Sequence, residues 1–564
     1  MIRMKSKIKS ACVGLIACFV LMQSCDRDYL SRNPLSGPSD ETFFANEEEL
    51  MLVVNGLYSA MTYLPIEFMP LNLAIDCASD IGWDRNNSPL QAIGRGNHDS
   101  NNNYVRTIWE QAYRVIGKCN FVLDNIHKLE GKMDADLYNR SKAEARFIRA
   151  FTYQYLIDYF GGVPLVTHGL QLSEAQIPKS PKNEIADFVI NELQDVAAVL
   201  PPSYGGADRG RATKGAALAI RARTALNNER WSEAAASAKA VMDLGLYSLH
   251  DDFGELFSYA GENSSEIIFA LQFLRLQDTR VHNTPRALLS RNAKGHTNKI
   301  PTQSLVDSYP CIDGLEIDES PLFDPTKPFE NRDPRLGFTV ALPGTIFFNY
   351  QFETHKDSIL CWNYNMTPAV RVTNQEATNA YATFSGYCWK KYVDLQDKDD
   401  VAKSELNVIQ SRYAEVLLIY AEAMIEANTI DQSVYDAINE VRERPSVSMP
   451  PIPAGQSRES LRTLVRKERL YELAMEGFRM VDLRRWELAE KMIAGTVYGR
   501  IPTGLLAAAP AIDEDGKVTY DAVPNQAEMR VIELREFNPE RDYLWPIPNI
   551  ETVTNPSLIQ NPNY

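Results

Sequence analysis

RATKGAALAIRARTALNNERWSEAAASAKAVMDLGLYSL (Arg211–Leu249) carries two alanine-rich runs on either side of a short polar turn. On the second run Trp231, Ala234, Ala238 and Val241 recur at i+3 and i+4, the spacing of one helical face. Small residues let two helices approach closely, and a tryptophan just after the turn fills their open end. The stretch predicts a tetratricopeptide-like helical hairpin. AEVLLIYAEAMIEANTIDQSVYDAINEVRER (Ala414–Arg444) repeats the plan. The two copies are degenerate and far apart, so they are related units and not turns of a regular solenoid.

Helical periodicity extends upstream. In AEARFIRAFTYQYLIDYFGGVPL (Ala143–Leu165), Phe147, Ala150, Phe151, Tyr155 and Tyr159 share a face, and Gly161, Gly162 and Pro164 end the helix. Further helices are predicted from near Glu47, with Leu50, Val53, Val54, Leu57 and Met61 inward, and from Tyr104 through Leu129. Between them Asp76–Asn103 loses periodicity and fills with Gly, Asn and Asp. It reads as a long loop, which in a compact domain is functional or disordered. Ser265–Phe273 is strand-like, and the chain from there to about residue 400 is rich in Pro, Gly, Asn and aromatics without helical period. The fold class expected is therefore mainly α, a helical-hairpin scaffold interrupted by a large irregular region with short strands. The expected partition is a leader (1–24), an extended lead (25–42), a scaffold (43–260) with a binding loop (76–103), a ligand-side insertion (261–405), and C-terminal helices with a Pro-rich tail (406–564). That tail must be held by side-chain packing.

The N-terminus bears on location. Arg3, Lys5, Lys7 and Lys9 precede an apolar run from Ala11 to Met22, about a dozen residues against the roughly 20 needed to cross a bilayer. Leu21, Met22, Gln23 and Ser24 lead straight into Cys25, a pattern that looks like a bacterial lipobox and not an A-x-A cleavage site. Cys25 is then the lipid anchor and the mature N-terminus, and several acyl chains tether firmly without spanning. Loss of the leader takes the net charge from −16 to −20. That acidity argues against nucleic acid and polyanions as general partners, though not against a local basic pocket. The mature chain, about 540 residues, suggests two to four packing units. Cys77, Cys119, Cys311, Cys361 and Cys388 are widely spaced, which supports neither a disulfide framework nor a zinc site.

Six blocks in order resemble the RagB/SusD family of Bacteroidetes outer-membrane lipoproteins: CDRDYL (25–30), Ala143–Leu165, the hairpin from Arg211, SRYAEVLLIYAEAMIEA (Ser411–Ala427), RKERLYELAMEGFRMVDLRRW (Arg466–Trp486), and the closing YLWPIP and QNPNY. The resemblance covers nearly the whole chain. It implies a helical scaffold whose loop-rich half carries the ligand site, and surface exposure on the outer membrane. It also implies partnership with a SusC-like TonB-dependent transporter, and capture of oligosaccharides or other nutrients without catalysis or cofactor. The acids just after Cys25 look like the family's export signal.

The residues themselves supply candidates. Sugar rings stack C–H faces on Trp and Tyr, and their hydroxyls pair with Asp, Asn and Arg. GWDRNN (Gly82–Asn87) sets Trp83 beside Asp84, Arg85 and Asn87; the competing reading folds Trp83 onto the scaffold. In FFNYQFETHKDSILCWNYN (Phe347–Asn365), Trp362 and Tyr364 are ring platforms, against strand-core packing. Arg371 and Tyr381 lie later in the same region. Trp109, Trp231, Trp389, Trp486 and Trp545 fall in scaffold-like segments and are assigned to packing. Glu468, Glu472 and Glu476 would line one helical face as a glycosidase pair could, but Arg469, Arg479, Arg484 and Arg485 lie within a turn or two. A charge-paired structural helix is the preferred reading. DLQDKDD (Asp394–Asp400) lacks the glycine and closing glutamate of an EF-hand loop and reads as a solvated acidic turn, with no metal assigned. No nucleophile elbow, phosphate loop or HExxH occurs. The alternatives left open are a secreted helical glycoside hydrolase or lyase, and a capture protein for a non-carbohydrate nutrient.

Overall fold

The computed structural model describes residues 44–62, 69–85, 87–276 and 280–564; the leader, Cys25 and the acidic lead lie outside them. Nine long helices among these residues form the scaffold: α1 (Glu47–Ala60), α2 (Asn103–Asn125), α3 (Ala135–Phe160), α4 (Lys182–Val199), α5 (Lys214–Asn227), α6 (Trp231–Met242), α7 (Tyr413–Glu426), α8 (Gln432–Arg442) and α9 (Arg458–Leu473). Neighbours from α2 to α6 pack in sequence, α7 docks on α6, and α8 and α9 pack on α7. The predicted hairpin is α5–α6. Ala216, Ala217, Ala219, Ala222 and Ala225 on α5 and Ala234 and Ala238 on α6 are buried, and such small side chains let packed helices close tightly. Side-chain caps set the starts of several helices: Thr213 accepts the Ala216 N–H at α5, and Asp431 and Ser457 cap α8 and α9.

The chain is mainly α with short strands, as expected. These are β1 (Gly82–Asp84), β2 (Ile267–Leu271), β3 (Lys299–Pro301), β4 (Ile346–Phe347), β5 (Tyr350–Gln351), β6 (Leu360–Asn363), β7 (Val370–Thr373), β8 (Val408–Arg412), β9 (Gly495–Gly499) and β10 (Arg530–Arg535), with two further two-residue pairs. β4 to β7 make a four-stranded antiparallel meander. The irregular region leaves and rejoins the scaffold through one antiparallel ladder, β2 with β8, in which Val408 faces Leu271 and Arg412 faces Ile267. α7 begins on the next residue, Tyr413.

A buried ionic lattice locks this region to the scaffold. Arg412 binds Glu266 at 2.8 Å, Glu472 at 2.7 Å and Glu476 at 2.7 Å. Arg444 binds Glu266 at 2.6 Å and Glu472 at 2.7 Å. From the irregular region, Arg335 reaches Asp333, Glu468 and Glu472, and Lys391 reaches Glu476 at 2.8 Å. The three glutamates are thus charge-paired, but not by the arginines nearest in sequence. Arg469 and Arg485 turn to Asp482 and Glu422, and Arg479 to Asp80. Nor does Glu476 share the helix: α9 ends at Leu473, and Met475 and Gly477 take positive φ of 65° and 88°. A Cβ on Gly477 would stand 2.6 Å from the Asn72 carbonyl oxygen, so only glycine fits this turn. Burial alone would raise the Glu472 carboxyl, yet Arg444, Arg412 and Arg335 hold it well below the usual carboxylate range. Burial lowers Lys391 to about 8 despite Glu476.

The Pro-rich tail is fixed as its composition requires. Trp545 stacks on Tyr159 at 4.3 Å and donates its backbone N–H to the Tyr159 carbonyl at 2.7 Å. The Asn561 amide donates to the carbonyls of Phe160 and Trp545. Trp109, Trp389, Trp486 and Trp545 are buried and Trp231 packs against the core. The acidic turn is not wholly solvated: Asp397 is buried and pairs with Arg275 and the Tyr259 hydroxyl.

Candidate functional site

The segment predicted as a long loop, 76–103, is built from short elements instead: a 3-10 turn (Asp76–Ala78), β1 and a helix over Pro89–Arg95. Ser88 caps that helix, Pro89 stands in its first turn and Gly96 ends it at φ 80°. These are ordinary start and stop signals that the Asn- and Gly-rich composition obscures. β1 pairs with β3, setting Trp83 opposite Ile300 and Asp84 opposite Lys299.

That pairing removes two predicted residues from the surface. Trp83 is only 3 % exposed, and its ring lies at 5.4 Å on Phe384 with the planes 22° apart. It is a core residue beneath the site and offers no open face to a sugar. Asp84 is fully buried, bound to Lys299 Nζ at 3.1 Å and accepting from the Ser88 hydroxyl. Arg85, 7 % exposed, donates to the carbonyls of Tyr381 at 2.9 Å, Ala382 at 3.4 Å and His296 at 2.6 Å. Its task is to brace the loop that carries Tyr381. Asn87 is exposed with φ 51°, its N–H bound to Gln91 Oε1 at 2.7 Å.

The rings that face solvent belong to the irregular region. Tyr381 is 61 % exposed, and the guanidiniums of Arg85 and Arg291 lie 5.8 and 5.7 Å from its centroid. The Asn379 side chain fixes the Tyr381 N–H at 2.8 Å. Buried Glu376 accepts from the N–H groups of Arg291 at 2.5 Å and Thr383 at 2.9 Å, and burial raises its carboxyl despite those bonds. The meander lies beside this loop through Asn292, which donates to the Thr373 carbonyl and accepts from the Gln375 N–H. On the meander, Trp362 faces Arg371 across β6 and β7, with the guanidinium 5.3 Å from the indole. Trp362 and Tyr364 are 38 % and 40 % exposed, so the strand alternation turns Cys361 inward and these rings outward. The structure therefore brings Tyr381, Arg85 and Phe384 together, with Trp362, Tyr364 and Arg371 further along the meander. Sequence reading missed Arg291, Phe384 and Arg530, whose guanidinium lies 3.9 Å over the Phe384 ring; no local motif marks them. Clefts of about 370 Å³, lined by Tyr204, Tyr247 and Glu262, and of about 280 Å³ along β9 lie elsewhere and include none of the predicted residues.

A model of the SusD family matches residues 265–564, and a second, described as starch-binding and associating with the outer membrane, matches 28–226. The chain belongs to the SusD family. A SusD-like protein of Formosa agariphila is 27 % identical over 95 % of this chain and 96 % of its own. The starch-binding protein SusD of Bacteroides thetaiotaomicron is 33 % identical over 25 % of each chain. The crystal structure of a SusD-like carbohydrate-binding protein from Bacteroides fragilis superposes with a TM-score of 0.79 at 30 % identity, covering 92 % of this chain and all of the other. Of these SusD relatives, those of Bacteroides thetaiotaomicron and Bacteroides fragilis are named for binding. No described helix of this SusD family member is long and apolar enough to cross a membrane.

Proposed function

We propose that the protein is a lipid-anchored, surface-exposed glycan-binding protein of the outer membrane. It captures oligosaccharides and hands them to a SusC-like TonB-dependent transporter without cleaving them. The observation that carries this is Tyr381, a ring left open to solvent while two guanidiniums and a buried carboxylate fix the loop around it. A preorganised aromatic face is what a sugar ring requires, and holding it still lowers the entropic cost of binding. Trp362 and Tyr364 extend the platform, and Arg371 and Asn87 supply polar partners at its rim. Affinity should be modest, because an open polar site keeps its water and each hydrogen bond nets little. Family membership and the carbohydrate-binding relative support the reading.

The test is an affinity gel and calorimetric panel of polysaccharides with the full-length chain in detergent, alongside Tyr381→Ala and an assay for new reducing ends. Retardation that Tyr381→Ala reduces, with no new reducing ends, is the expected result. Cleavage products would establish a hydrolase or lyase instead. A Cys25→Ala chain should bind sugar but leave the membrane fraction, and co-purification with the transporter tests the handover.

A further inference from the structure

Three guanidiniums gather around Tyr381 and Phe384 without a salt bridge among the described residues. Arg85 and Arg291 flank the Tyr381 ring and Arg530 covers Phe384. Among the described residues none of the three forms an ion pair. Arg85 bonds only to the carbonyls of Tyr381, Ala382 and His296, and Arg291 only to that of Gly295. The Nε of Arg85, itself nine-tenths buried, and that of Arg291 are buried with no acceptor. Glu376, the carboxylate beside them, spends its oxygens on backbone N–H groups. A fourth guanidinium, exposed Arg286, bonds to the His296 imidazole and not to an acid. Burial lowers the Arg85 pKa and Arg291 and Arg530 lower it further, against a partial opposing pull from Glu376 and Asp84, so these charges feel one another.

In the ionic lattice, by contrast, Arg335, Arg412 and Arg444 each bind two or more carboxylates, whereas buried Arg332 and Arg484, like Arg85 and Arg291, bond to carbonyls alone. In a chain with 74 acidic and 58 basic side chains, an arginine cluster without a salt bridge beside an open ring runs against composition. Partly desolvated guanidiniums are unfavourable alone and bind planar oxyanions well. Resting on the glycan-binding reading, we infer that this site takes an acidic glycan, with a ring face on Tyr381 and its carboxylate or sulfate ester on Arg291 and Arg530.

The experiment is calorimetry on the full-length chain with oligogalacturonate (carboxylate), a carrageenan oligosaccharide (sulfate) and a maltooligosaccharide (neutral). One acidic probe should bind about tenfold tighter than the neutral one, and added salt should weaken only the acidic probe. Which acidic probe binds identifies the anion. Arg530→Gln should cost the acidic probe about tenfold with the neutral probe unchanged, while Arg291→Gln, which also loosens the Tyr381 loop, should weaken both and the acidic probe about tenfold more. Equal or tighter neutral binding, or salt-independent affinity, overturns the inference while leaving the glycan reading in place. No binding to any of the three overturns both. If a variant loses its fold, the probe ratio and salt dependence of the unmodified protein still decide.

Discussion

Arg85 donates to the Tyr381 carbonyl at 2.9 Å and carries its guanidinium 5.8 Å from the same residue's ring. One buried side chain thus sets both the backbone and the ring of the most exposed aromatic at the site. The arrangement gives Tyr381 a fixed direction without covering it.

Truncating that ring should affect binding and little else. Tyr381→Ala is expected to weaken oligosaccharide binding about five- to tenfold, the equivalent of about 1 kcal/mol for one stacked ring. Its melting temperature should match the parent's. Trp362→Ala should give a smaller loss, since Arg371 already occupies part of its face. Calorimetric titration beside a thermal melt reads both, and undiminished affinity in Tyr381→Ala would remove the site.

Trp83 should behave in the opposite way. Its ring is buried on Phe384, so Trp83→Ala opens a cavity and should cost about 3–5 kcal/mol of stability. Urea unfolding should show an earlier midpoint. Any lost binding should come from the displaced Phe384 loop and be restored in part by Trp83→Phe.

The ionic lattice makes Glu472 the most consequential acid in the fold, because it faces Arg335, Arg412 and Arg444 together. Glu472→Gln leaves buried guanidiniums undercompensated and should cost about 3–5 kcal/mol. The unfolding midpoint reads this directly; a shift of less than about 1 kcal/mol would mean that the remaining glutamates absorb the charge.

His282 supplies a pH dependence of known sign. It is fully buried, and burial pushes its imidazole down to about 4 from 6.5, partly offset by the Leu406 carbonyl at 2.9 Å. The folded protein keeps the ring neutral while the unfolded chain protonates it. This contribution is fully present above pH 6.5 and is lost as pH falls toward about 4. The parent should therefore lose about 3 kcal/mol more than His282→Gln over that window. Parallel unfolding curves at each pH would contradict it.

How far the sequence carried the structure varies by element. The α5–α6 hairpin was legible because its alanines and Trp231 encode both period and closeness, and the tail was legible as a segment held by packing. Segment 76–103 was misread because its helix is a single short turn pair whose Ser88–Pro89 start is local, whereas the Gly and Asn content around it dominates any window. Trp83 was ambiguous for a physical reason: exposure of one ring depends on β1 pairing with β3, more than 200 residues away. The lattice partners share that difficulty. Opposite charge along α9 predicts pairing, but tertiary geometry chose Arg335, Arg412 and Arg444 over the neighbours. Arg291 reaches Tyr381, and Arg530 reaches Phe384, only through the fold, so no spacing could have announced them.

The β2–β8 ladder has a further implication. Because the excursion from 272 to 407 starts and finishes on adjacent strands, lengthening its exposed turns adds only a loop-closure cost, which grows slowly with added residues. It behaves as a cartridge in a helical holder, and Asp333, Arg335 and Lys391 are the keyed pins that seat it. Exposed turns of the excursion should accept insertions without loss of the fold, provided those three charges and the rung between Arg412 and Ile267 are kept.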